Sequence, residues 1–120
     1  MRHLVLAAAT RERLAALDYD FEALKRLMLA HDLTTLSLVH RASGDTFDAR
    51  NPFPVGGVVE DPATGAAAAA FGAYLRHEGL VEPPVTIAIR QGDDVGRPSR
   101  LTVEIGTAPE IRVTGRAVAL

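Results

Sequence analysis

The sequence predicts one α+β domain over residues 1–120, in which a strongly curved β-sheet wraps around a central alanine-rich helix. Three observations point there. Strand-length apolar segments come in runs on either side of helical segments, without the regular strand-helix-strand repeat of a doubly wound fold. The segment TGAAAAAFGAYL, residues 64–75, has small residues on every side of its first two turns and brings Phe71, Tyr74 and Leu75 only later. A surface helix would carry charge on one face, so this one is expected to be enclosed all round. A chain of 120 residues, 48% hydrophobic and 23% charged, also has room for one self-sufficient core.

Leu4, Val5 and Leu6 form the first expected strand, after which Thr10 is placed to cap a short helix over RERLAAL. The turn DYD ends it. Asp20 caps a second helix over FEALKRLMLAH, where Phe21, Leu24, Met28 and His31 share one face. TTLSLVH and TFDAR alternate apolar and polar residues across the turn ASGD, as two antiparallel strands do. NPFPVGG holds two prolines and two glycines, so the chain is expected to leave the sheet in an irregular loop that delivers Glu60 and Asp61. The central helix starts near Thr64 and runs to about Glu78, with Gly79 suited to a left-handed C-cap. VTIAIRQ, RLTVEIG and EIRVTGRAVAL finish the chain as three strands, joined by GDDVGRPS and TAP.

Several function classes are excluded by composition. There is no cysteine, which removes disulfides, thiolate nucleophiles and cysteine-based metal centres. Net charge is -2 with both signs mixed along the chain, which argues against nucleic acid or an anionic membrane as a partner. The opening MRHLVLAAAT imitates a signal peptide, but its apolar run, Leu4 to Ala9, is short and RERLAAL follows. With no apolar stretch near the ~18 residues of a membrane span, a soluble cytoplasmic protein is expected. His3, His31, His40 and His77 show no two-histidine metal spacing, so no metal site is assigned. GDDVG reads as a turn with a solvated acidic pair, too short for a calcium loop.

The chemistry concentrates at VVEDPATGA, residues 58–66. A helix start exposes up to four unpaired N–H groups and about half a positive charge, and so attracts anions. Gly65 and Ala66 leave room for a ligand to reach those amides. Asp61 and Glu60 stand beside them with two competing uses: capping the helix, for which Asp-Pro at a helix start is a common arrangement, or acting as acid and base on a bound ligand. Arg97, in GRPS, is placed either to contact a substrate carboxylate or to brace its turn.

RNPFPVGGVVEDPATGAAAAAFGAYL, QGDDVGRPSRL and IRVTGRAVAL together resemble the second half of the PhzF-type phenazine-biosynthesis family, which shares its fold with diaminopimelate epimerase. The resemblance covers essentially the whole chain. It implies a mixed sheet wrapped around a central helix and, in full-length members, two such domains holding a substrate between two helix N-termini. It implies for Asp61 a role in positioning or polarising the substrate, while the first-domain glutamate that is the principal acid/base of characterised relatives has no counterpart here. Ala66 stands where members commonly have serine, which removes a hydroxyl donor but leaves the amide. Without cysteine the chain falls on the aspartate branch, not the thiol branch, of this fold.

The resulting expectation is a cofactor-independent isomerase that transfers a proton on a small carboxylate-bearing metabolite. Asp61 and Glu60 would be the catalytic groups, and Thr64, Gly65, Ala66 and Arg97 the substrate-binding ones. Activity would require a homodimer or a complementary first-half subunit. The alternative is a domain that keeps the fold and binds small anions without chemistry, and a truncated remnant is the third reading.

Overall fold

The computed structural model describes residues 2–115. Seven strands form one sheet among these residues: β1 (His3–Ala7), β2 (Thr35–Arg41), β3 (Thr46–Phe53), β4 (Val58–Asp61), β5 (Val85–Gln91), β6 (Ser99–Ile105) and β7 (Ile111–Thr114). The order is β1-β2-β3-β5-β6-β7, with β4 paired to β3 off this path. β1 and β2 run parallel, as do β3 and β5; the other pairs are antiparallel. The sheet is therefore mixed, and the fold is α+β as expected.

Three helices accompany it: α1 (Arg11–Ala15), α2 (Phe21–Ala30) and α3 (Gly65–His77). Local chemistry sets their ends. Thr10 and Asp20 cap α1 and α2, their side chains accepting from the N–H of Arg13 and Ala23. α3 closes on Gly79 at φ +68°, with Gly79 N–H donating to Arg76 O and Leu80 N–H to Leu75 O, a paired closure that only a left-handed residue permits.

The core lies between α3 and the sheet. Ala67, Ala68, Phe71, Gly72 and Leu75 are buried against Phe47, Ile87, Ile89, Val103 and Ile105, and Phe47 meets Phe71 edge to face with centroids 5.0 Å apart. Ala69, Ala70 and Ala73 are half-buried while Gly65, Ala66 and Tyr74 are exposed, so burial is graded around the helix and not uniform as expected. Gly72 marks the closest approach: a Cβ there would lie 2.9 Å from Val103 Cγ1 and 3.3 Å from Ile111 Cγ2. Gly72→Leu is expected to lower stability by roughly 1–3 kcal/mol through overpacking, read as a reduced urea midpoint at constant m.

The main departure from the sequence reading is NPFPVGG. β3 continues through Asn51 and Pro52 to Phe53, and after a short 3-10 turn, Pro54–Gly56, the chain returns as β4. β2 pairs with β3 only up to Arg50 and β5 only up to Ala49, so among the described residues Asn51–Phe53 has β4 as its one neighbouring strand. Proline is tolerated where one side of a strand is unpaired. Glu60 and Asp61 thus sit on a strand, not in an irregular loop. Of the final expected strand, the part beyond residue 115 lies outside the described residues.

Candidate functional site

Asp61 ends β4, and Thr64 three residues later is the N-cap residue of α3. Thr64 is extended, at φ -124° and ψ 92°, and its side chain makes no cap hydrogen bond. The first intrahelical bond runs from Ala68 N–H to Thr64 O at 3.0 Å. The amides of Gly65, Ala66 and Ala67 therefore precede the ladder, at the positive end of a thirteen-residue helix.

The Thr64 hydroxyl is used differently. It lies 2.8 Å from Asp61 Oδ2 and 3.0 Å from Gln91 Nε2. Gln91 Nε2 also stands 2.9 Å from the backbone carbonyl of Asp61, which can only accept, so the amide nitrogen must face this way. Since Gln91 donates to Thr64, the single hydroxyl proton goes to Asp61, and Oδ2 is held as an acceptor. Oδ1 accepts only a longer bond, 3.3 Å, from Ala63 N–H. Asp61 is thus oriented by its turn and remains half-buried.

Around this turn the neighbouring strands supply polar ends. Ser99 Oγ is 2.9 Å from Pro62 O, and Asn51 Nδ2 donates to Ser37 Oγ at 2.9 Å. Ser37, Asn51 and Gln91 line a cavity of about 10 Å³ with Ala67, Ala68 and Phe71, room for about one water. A larger cavity, about 260 Å³, lies along β1, β2 and the later turns of α3, but none of the acidic-turn residues line it. Its polar rim is already engaged: Arg41 donates to Gly44 O and Leu80 O, and His40 faces Ala8 O.

Glu60 does not join Asp61. Successive strand side chains point to opposite faces, and Glu60 turns to Arg50, whose Nη2 and Nε lie 2.7 and 3.1 Å from its two oxygens. Their side chains are only 4% and 10% exposed. Arg50 Nη1 donates to Leu14 O and Ala15 O in α1. The Glu60 hydrogen bond holds the Arg50 guanidinium above its usual pKa; burial, and secondarily the Glu60 charge, push the Tyr19 phenol up as it donates to Val59 O. Asp94 stands 2.9 Å from Arg11 Nη2 and 3.7 Å from Arg50 Nε, and Asp93 pairs with Arg100 at 3.0 Å. The pair in GDDVG is therefore ion-paired as well as exposed to solvent. Arg97 is exposed; its backbone N–H closes the turn onto Gly92 O at 2.9 Å, and its guanidinium makes no hydrogen bond or ion pair among the described residues.

Gln91, Asn51, Ser37 and Ser99 were not singled out by sequence reasoning. A signal existed for Gln91: Ile87, Ile89 and Gln91 occupy the inward register of β5, so a polar group at the last such position had to find a partner inside.

Comparison with known proteins now identifies the family. The family model for PhzC-PhzF, phenazine biosynthesis-like protein, matches residues 1–120. The chain belongs to the PhzC-PhzF family. Relatives of this PhzC-PhzF chain include the trans-2,3-dihydro-3-hydroxyanthranilate isomerase of Pseudomonas fluorescens, 34% identical over 98 residues, covering 82% of this chain and 34% of that enzyme. An uncharacterized isomerase of Pasteurella multocida is 43% identical over 65 residues, covering 54% of this chain and 22% of its own length. Among solved structures, a predicted epimerase from Pseudomonas aeruginosa superposes with a TM-score of 0.72 at 29% identity, covering 92% of this chain and 37% of that one. A PhzF-family phenazine biosynthesis protein from Bacillus anthracis gives 0.73 at 15% identity, covering 91% and 40%, a likeness of fold. The PhzC-PhzF chain thus spans about a quarter to a third of the length of these curated relatives. Among the described residues no helix is long and apolar enough to cross a membrane.

Proposed function

We propose that this chain supplies the second half of a PhzF-type isomerase site, a single domain that takes part in proton transfer on a small carboxylate-bearing metabolite. A homodimer or a separate first-half subunit completes the site. The observation that carries this reading is the Asp61 carboxylate, held as an acceptor by Thr64 next to the uncapped amides of Gly65, Ala66 and Ala67. Those amides and the helix dipole receive the substrate carboxylate. Asp61 then polarises or positions the group that gains or loses the proton. Ala66 contributes its amide alone.

Glu60 is committed to Arg50, so in this reading the second acid/base comes from the complementary half of the site. In a homodimer that partner group would be the second copy's Asp61, across a twofold axis. The same observation favours the competing reading, a domain that binds small anions without chemistry, because one carboxylate stands at the α3 mouth.

The test uses trans-2,3-dihydro-3-hydroxyanthranilate, the compound named in the activity of the Pseudomonas fluorescens relative, in deuterated water. The native protein is expected to incorporate deuterium at a substrate C–H, and Asp61→Asn to slow this at least ~100-fold with its circular dichroism unchanged. Unchanged exchange in the variant would remove Asp61 from the mechanism. Saturable binding without exchange in the native protein would select the anion-binding reading, and a native mass of monomer alone at micromolar concentration would count against the homodimer.

A further inference from the structure

We infer that Glu60, expected from sequence as the second acid of the site, is instead a positioning residue: through Arg50 it holds the strand from which Asp61 projects, and so the place of the carboxylate that Thr64 orients. This rests on the half-site reading above.

The need for such a pin follows from how weakly β4 is held by its backbone. β4 has four residues and, among the described residues, pairs with β3 alone; it lies opposite Pro52, which has no N–H to donate, and its register shifts between Pro52 and Phe53. A ladder this short leaves the twist of β4 to be set by side chains. Glu60 precedes Asp61 directly, so with Cα atoms ~3.8 Å apart, a rotation of the backbone at Glu60 swings the Asp61 side chain.

Arg50 is suited to stop that rotation. Its Nε and Nη2 take both oxygens of Glu60, while Nη1 is fixed by two carbonyls of α1, so the guanidinium plane is held from opposite sides. Asp94 joins the same node. Its turn begins at Gly92, which abuts the Pro62 carbonyl, so Arg50 links both supports of the acidic turn, β4 on one side and the 92–97 turn on the other. From Asp94 the chain of charges continues through Arg11 to Asp48 at 3.9 Å and on to Arg90 at 2.7 Å, which anchors the node to β3 and β5.

The experiment follows the carboxyl ¹³C resonance of Asp61, assigned by its loss in Asp61→Asn, in two variants of the full chain. Glu60→Asp keeps the charge and shortens the reach by one methylene. Arg50→Met combined with Glu60→Leu replaces the pair by apolar groups of similar volume, which commonly preserves folding where a single change does not. Both are expected to keep native circular dichroism while the Asp61 resonance moves or broadens and kcat for deuterium exchange falls ~10–100-fold with a smaller change in KM. A pair that served stability alone would leave the resonance of the folded protein where it was, and that result in either folded variant overturns the inference. Absence of exchange in the native protein, together with a displaced resonance in the variants, would overturn the half-site reading and leave the positioning role standing.

Discussion

Glu60→Gln is expected to cost about 3–5 kcal/mol of folding stability, the range for removing one partner of a buried ion pair. The Arg50 side chain is 10% exposed and that of Glu60 4%, so the orphaned guanidinium cannot recover its hydration without opening β4 or α1. Deprotonation gives no escape, because an arginine stays charged at any pH at which the protein is handled. Glutamine offers one oxygen to the fork and turns an NH₂ group toward the remaining donors. The apolar pair Arg50→Met with Glu60→Leu is expected to lie within about 1 kcal/mol of the native protein, since two desolvated charges are exchanged for packed hydrocarbon. Urea denaturation with a shared m-value measures both differences. A loss below about 1 kcal/mol in Glu60→Gln would mean that water reaches the pair and that it behaves as a surface bridge.

What was legible in the sequence was what neighbouring residues decide among themselves. Thr10 and Asp20 cap the helices that follow them and Gly79 ends α3, because each contact closes within a turn or two. The last three strands were visible because their inward apolar residues recur every second position, as in Ile87 and Ile89 or Val103 and Ile105. The end of β3, and with it the return into β4, was hidden by Pro52 and Pro54, residues that argue against a strand unless its flank is known to be free. Glu60 follows from the same point: once residues 58–61 are a strand, adjacent carboxylates point to opposite faces, and Glu60 meets Arg50. The arginine and acid chain was beyond local reasoning altogether. Arg11 and Asp94 are 83 positions apart, Arg90 and Asp48 42 apart, and only the sheet order brings them together.

At Gly92 two effects act on the same atom, and Gly92→Ala is expected to cost roughly 3–5 kcal/mol, among the larger values for a single substitution. Gly92 has φ +86°, where any side chain is strained by about 1–2 kcal/mol. A Cβ there would also overlap the Arg97 carbonyl oxygen and come within 2.9 Å of the Pro62 oxygen, both backbone atoms that no rotamer change can move aside. Gly96 provides the control, for it has φ +71° but, among the described residues, nothing within 4 Å of its Cβ position. Gly96→Ala should therefore show the strain alone, about 1–2 kcal/mol, and the difference between the two urea midpoints isolates the close approach. Equal losses at the two positions would mean that the 92–97 turn moves freely relative to Pro62. If the contact is as tight as it stands, relief in Gly92→Ala must come from displacing Pro62, one residue beyond Asp61, so the acidic turn is disturbed together with the fold.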